Sequence, residues 1–247
     1  MTPAAVLVVV PVNNEDALLP RCIHALHAAV HEAGRTACPP IVEVALVLDG
    51  CTDRSRAIAE DSGFRVTGIE ATSVGVARAH GVRTALARFA ATDPQDLWIA
   101  NTDADSAVPT NWLTTHITAA SAGYDLLVGT VRPDFDDLSP AQRTAWTATH
   151  TPGVANGHVH GTNLGLRADK YLEVGGFQPS AEHEDVGLVA RLRSRPTTRE
   201  LATAVCCVLT SGRSVGRTPG GYARHLSVDL CAGRRTAARL PAGGHVR

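Results

Sequence analysis

The 247-residue chain carries 23 basic and 24 acidic side chains and a net charge of −1, so no global basic field draws nucleic acid or an anionic membrane to it. Hydrophobic residues make up 44% and charged residues 19%, an ordinary globular balance that excludes a disordered chain and leaves enough length for one large domain with a sizeable core. Six cysteines, at 22, 38, 51, 206, 207 and 231, form no Cys-x-x-Cys pair and no zinc spacing with histidine, so free thiols in a reducing compartment are the expectation.

Residues 6–12 are apolar and β-branched and read as a buried first strand. No basic residue precedes this short run and no small-residue cleavage site follows, so it does not read as a signal peptide. No run approaches the about 20 apolar residues that a membrane helix needs. A cytoplasmic protein is the expectation, with peripheral membrane contact left open.

Asn13-Asn14-Glu15-Asp16 is a polar loop, and the spacing after Ala17 predicts a helix that Gly34 stops. A second strand is expected over 42–48, then a turn at 49–53, with Asp53 able to cap a helix over 54–62. A short strand at 64–66, a helix over 75–89 and a strand over 97–100 complete the first half. Strands alternating with helices predict an α/β fold with a mostly parallel central sheet and helices on both faces.

The second half is less regular. Helices are expected over 112–122, 139–150, 168–174 and 184–192, and strands over 125–131, 158–166 and 201–209. Ser139-Pro140 is a cap followed by proline at the first helical position. Beyond 210 come a loop, one helix near 222–231 and a frayed tail.

Polar loops follow three successive strands, at 13–16, 49–53 and 101–106. Loops at strand carboxyl ends share one edge of a parallel sheet and converge on one ligand. The last of them contains Asp103-Ala104-Asp105. Two carboxylates one residue apart, brought together by a turn, form an oxygen-rich site suited to Mn²⁺ or Mg²⁺ held with a diphosphate. The alternative is a turn that caps the following helix.

Five segments carry a resemblance. Val9-Val10-Pro11-Val12-Asn13-Asn14-Glu15 looks like "VIPVYNEE", and Leu48-Asp49-Gly50-Cys51-Thr52-Asp53 looks like "DDGSTD". Gly75-Val76-Ala77-Arg78 looks like a "G…AR" helix start, Asp103-Ala104-Asp105 like a metal motif, and Gly175-Gly176-Phe177 with Glu184-Asp185 like "GGFDE…ED". In this order they resemble family 2 glycosyltransferases of the GT-A fold, over roughly residues 5–210.

The resemblance implies a nucleotide-binding half at about 1–106, an acceptor half at about 107–210 with a smaller acceptor-side subregion, and a C-terminal loop and helix at 211–247. It implies that Pro11, Asn13, Glu15 and Asp49 hold the nucleotide, and that Asp103 contacts ribose or metal. Asp105 would bind the divalent cation (Mn²⁺ or Mg²⁺), and Asp185 would be the general base of an inverting transfer. Arg78 reads either as a phosphate or nucleotide contact or as a solvated helix charge. Glu184 reads as structural. Leu48 and Asn13 depart from the family pattern, which leaves a UDP-, GDP- or dTDP-linked donor open, with an acceptor that offers a hydroxyl.

Arg213, Arg217 and His225 fall in a segment that reads as a candidate lid or a solvated tail. His158 and His160 belong to a glycine-rich segment that ends in Gly161-Thr162-Asn163 and read either as lining an acceptor pocket or as surface or core histidines. A nucleotidyltransferase that makes nucleotide sugars would want a glycine- and lysine-bearing loop after the first strand, which 13–16 lacks. An inactive nucleotide-sugar-binding relative would bind without turnover.

Overall fold

Strand β1 (Ala5–Val12) is the axis of the sheet. Its side chains alternate between faces. Val6, Val8, Val10 and Val12 enter one core cluster, whereas Ala5, Leu7 and Val9 enter another. A strand apolar on both faces must have helices on both, and it does.

In the computed structural model, which describes residues 2–180, 182–216 and 221–230, β1 pairs in parallel with β2 (Ile41–Asp49) and with β4 (Leu97–Asn101). Strand β3 (Arg65–Ile69) adds to β2. Strands β5 (Leu126–Pro133), β6 (Leu164–Arg167) and β7 (Glu200–Thr210) complete a seven-stranded sheet in the order β3-β2-β1-β4-β6-β5-β7. The strand order reverses at β1 and β4, so the loops after these two strands flank the crevice where open α/β sheets take ligands.

Only β6 runs antiparallel, to β4 on one side and β5 on the other. The strand expected over 158–166 is corrected here. Residues 151–160 have no regular structure, Gly161–Asn163 is a 3₁₀ turn, and pairing starts at Leu164. Gly161 interrupts that alternation.

Helices α1 (Leu19–Ala33), α2 (Ser55–Glu60) and α4 (Trp112–Ser121) cover one face. Helices α3 (Val74–Arg88), α6 (Ala168–Glu173) and α7 (Glu184–Arg193) cover the other. Helix α5 (Pro140–Thr149) stands apart and opens with a capping box between Ser139 and Gln142. Ala145 and Trp146 of α5 pack on Leu226 and Leu230 in a third, smaller cluster. The C-terminal segment is thus anchored there, as helix α8 (Tyr222–Arg224) continued by a π-helical turn, His225–Asp229. None of the helices of the described residues is long and apolar enough to cross a membrane.

Helix α3 approaches β1 and β2 closely because position 81 is glycine. A Cβ there would stand 2.5 Å from a Val9 methyl and 2.8 Å from a Val47 methyl. Both valines are fully buried, so neither can step aside without disturbing the sheet. Gly81→Ala is therefore expected to destabilise the fold by about 1–3 kcal/mol, the range for overpacking a core. Urea unfolding monitored by circular dichroism checks it, and a midpoint equal to the parent's would refute the close packing.

Candidate active site

The three polar loops do converge. The Asn13 side chain donates to the Asp49 carbonyl at 2.5 Å, and Asn14 Oδ1 accepts from the backbone amides of Thr52 at 2.8 Å and Asp53 at 3.3 Å. Asp53 accepts from the backbone of Asp16 at 3.0 Å and of Ser55 at 2.9 Å. It therefore ties two loops together as well as satisfying the first turn of α2. Pro11, near the end of β1, and Asn13 are half-buried beside this junction.

Asp49 is 3% exposed. One carboxylate oxygen accepts from the amides of Ala71 and Thr72, each at 2.7 Å, and the other from Ser73 at 2.8 Å. Its charge is spent on shaping the loop that leads into α3.

Among the described residues, the non-glycine positions with positive φ are Asn14, Thr72 and His183. All three lie in loops of this site. For β-branched Thr72 the left-handed region is an outlier, and such strain, of order 1–3 kcal/mol per residue, collects at functional sites.

Asp103 and Asp105 do not cap α4, whose first turn begins at Trp112. They face different cations instead. Asp103 accepts from Arg78 at 2.5 Å and from the Thr162 hydroxyl. Asp105 accepts from Arg213 at 2.7 Å, Ser106 at 2.9 Å and Thr210 at 3.4 Å. Burial, with the Asp103 charge next to it, pushes the Asp105 carboxyl above its ordinary range, and Arg213 opposes that. Arg213 also chelates Glu15 at 3.0–3.2 Å, which brings the first loop against the third.

Arg78 is 2% exposed, so it is no solvated helix charge. Its Nε donates to Glu184 at 3.1 Å and its Nη1 to the Gly161 carbonyl at 2.9 Å, while Nη2 holds Asp103. Burial raises the Glu184 carboxyl, and Arg78 draws it back. The next residue, Asp185, is half-buried in the first turn of α7. Its Oδ2 accepts the Gly161 amide at 2.6 Å, and its Oδ1 accepts its own Val186 amide at 2.8 Å. One 3₁₀ turn thus contacts Arg78, Asp103 and Asp185 together.

Sequence reasoning did not single out Thr162 and Asn163 as working residues. Asn163 is fully buried and accepts from the Trp112 indole at 2.9 Å while donating to the carbonyls of Thr130 at 2.9 Å and Cys206 at 2.8 Å. The available signal was a Gly-Thr-Asn triplet directly before a short strand. Arg213 and His225, read as parts of one segment, go to different places. His225 stacks on Tyr222, at 5.9 Å between ring centroids, in a row of rings that includes His160, His158, His150 and Trp146. Burial pushes His160 down to about 4, so it is neutral near pH 7. Arg217 lies outside the described residues.

Among the described residues, no three His, Cys, Asp or Glu side chains gather into a ready metal cage. A divalent ion shared with a diphosphate needs only one or two carboxylates. Asp105 and Glu15 already hold a cation, the Arg213 guanidinium, between carboxylate oxygens. That donor set fits a hard divalent ion.

The model of the family described as "Glycosyl transferase family 2" matches residues 7–171. An undecaprenyl-phosphate 4-deoxy-4-formamido-L-arabinose transferase of Pseudomonas aeruginosa is 30% identical over 167 residues, covering 66% of this chain and 46% of that protein. The chain thus spans about half the length of the curated relatives it matches. In fold it is similar to a mannosyltransferase from Pyrobaculum calidifontis solved with GDP-Man and Mn²⁺ (TM-score 0.60, 19% identity, 99% of this chain and 66% of that one). It is also similar to glucosyl-3-phosphoglycerate synthase from Mycobacterium tuberculosis solved with Mg²⁺ and UDP (TM-score 0.57, 15% identity, 98% and 82%). Both neighbours have the GT-A fold. With a family model that runs from β1 into α6, the chain belongs to glycosyl transferase family 2.

Proposed function

We propose that this chain transfers a sugar from a nucleoside-diphosphate donor to an acceptor hydroxyl, with a divalent ion and with inversion. The observation that carries this reading is the arrangement of carboxylates at the sheet edge. Glu15, Asp103, Asp105, Glu184 and Asp185 gather around two guanidinium groups, Arg78 and Arg213. This acid excess repels a diphosphate unless further positive charge arrives with it. A site so built, beside a topological switch point, suits a metal-accompanied diphosphate. The family, and neighbours solved with GDP-Man and Mn²⁺ or with UDP and Mg²⁺, support the same reading.

The roles follow from position. Residues 1–106 form the nucleotide half. Pro11, Asn13 and the loop that Asp49 organises line the nucleoside, and Glu15 stands beside the diphosphate end with Asp105. Asp105 and Asp103 would hold the divalent ion, which would stabilise the negative charge that develops on the leaving diphosphate. Arg78 orients Asp103 rather than meeting the nucleotide, because it is 2% exposed and each of its three nitrogens already holds Glu184, Gly161 or Asp103. Asp185 takes the proton of the acceptor hydroxyl. Its Gly161 and Val186 partners aim the carboxylate while leaving lone pairs on both oxygens.

Residues 107–210 supply the acceptor side, reached in the cytoplasm. A curated relative is named for undecaprenyl phosphate, which makes a lipid-linked acceptor, met at a membrane surface, the first to test.

Two measurements check these roles. A thermal-shift panel of UDP-, GDP- and dTDP-linked sugars with and without Mn²⁺ is expected to raise the melting temperature for one base class, only with metal. Asp105→Ala is expected to erase that shift. A shift that survives in Asp105→Ala would remove Asp105 from the metal site. In a transfer assay with the donor so identified, Asp185→Asn is expected to lower turnover by about 10²–10⁴-fold while donor affinity stays near the parent value. Normal turnover in that variant would reject the base assignment.

A further inference from the structure

Arg213 enters the site on an anchored stem. The Gly212 amide donates to Asp137 at 2.8 Å and the Arg213 amide to the Ser211 hydroxyl at 3.2 Å. A Cβ at position 212 would stand 2.6 Å from the Asp134 carbonyl, so the backbone is packed closely at this point. The arginine side chain itself is 32% exposed, whereas the carboxylates it holds are 13% exposed at Asp105 and 8% at Glu15. The guanidinium takes Asp105 Oδ2 at 2.7 Å and both Glu15 oxygens at 3.0–3.2 Å. The Asp105 carboxylate is one that the divalent ion of the reading above would use, and Glu15 stands beside it.

We propose that Arg213 is a built-in counter-ion that competes with the divalent ion for Asp105, with Glu15 as its second anchor, and that its guanidinium, once displaced, binds the donor diphosphate. The inference rests on the metal-dependent reading above. An ion about 2.1 Å from an Asp105 oxygen and a guanidinium at hydrogen-bond distance from the same carboxylate repel each other, so each weakens the other's hold. Like charge then drives the guanidinium away from the ion, and its planar fork of donors matches phosphate oxygens. Its stem keeps it next to the place it left. Without nucleotide the ion meets a competitor, and with a diphosphate present the competitor becomes a ligand. Metal and diphosphate therefore bind cooperatively, and the coupling runs through Arg213 in both directions.

Mn²⁺ electron paramagnetic resonance reads this without turnover. Free Mn²⁺ is titrated against the parent, Arg213→Gln, Arg213→Lys and Asp105→Asn, first alone and then with inorganic pyrophosphate. Arg213→Gln is expected to bind Mn²⁺ alone about tenfold or more tightly than the parent, in line with removing a charge-assisted competitor. The factor by which pyrophosphate raises Mn²⁺ affinity is expected to fall about tenfold or more in the same variant. Arg213→Lys keeps the charge with fewer donors, so it should lie between the two and stands in if the glutamine variant fails to fold. Mn²⁺ affinity in Arg213→Gln equal to or below the parent's, with binding still lost in Asp105→Asn, would overturn the competition alone. Tighter Mn²⁺ with undiminished pyrophosphate coupling would overturn the diphosphate contact. Binding untouched by Asp105→Asn would overturn the metal reading and this inference with it.

Discussion

Arg78 spends its three nitrogens on three parts of the chain that are far apart in sequence: Glu184 in α7, the Gly161 carbonyl, and Asp103 after β4. A buried guanidinium is tolerated only when its donors are satisfied and its charge is balanced. Taking one partner from such a cluster costs about 3–5 kcal/mol. The surrounding chain is cut to fit. A Cβ at position 161 would stand 2.6 Å from an Arg78 nitrogen, so only glycine lets this turn approach the guanidinium. Because Gly161 also binds Asp185, the ion pairs that hold Asp103 in place set the position of the proposed base as well.

A second, uncharged network fixes the same turn from below. Asn163 links α4, β5 and β7 through Trp112, Thr130 and Cys206. Gly129 leaves room for it, since a Cβ there would overlap the Asn163 amide group at 2.2–2.6 Å. Trp98 and His116 form a neighbouring buried pair at 3.0 Å, and burial pushes His116 down to about 3. Polar groups so deep raise specificity for one packing when they are satisfied. Here they pin the point where β6 turns antiparallel to the rest of the sheet, and that reversal delivers residues 161–163 to the mouth of the crevice.

The site is therefore buried on one side and partly exposed on the other. The Arg78 cluster is buried and braced by helices α3 and α7. The Arg213 cluster rests on one partly exposed side chain at the end of a packed stem. The aromatic and histidine row from Trp146 to His225 passes His160, next to Gly161, and is anchored by α5 and by helix α8 with its π-helical turn.

The amino-acid order by itself determined the layered α/β fold, the strands that carry the site loops, and the presence of Asp49, Asp103, Asp105 and Asp185 at loop or helix starts. Those features come from local patterning: two-sided apolar strands, helical spacing, and polar turns at strand ends. Tertiary structure alone decided which cation each carboxylate meets. Arg78 read either as a solvated helix charge or as a phosphate or nucleotide contact, because a "G…AR" helix start does not say which face packs inward. Asp49 read as a ligand residue, and only the tertiary structure shows that its carboxylate also accepts the amides of residues 71–73. Thr162 and Asn163 carried no periodicity, and Arg213 lies 108 residues from Asp105 and 198 from Glu15. Contacts at such separations depend on the strand order and on the antiparallel reversal at β6, and neither is written in any local stretch of the chain.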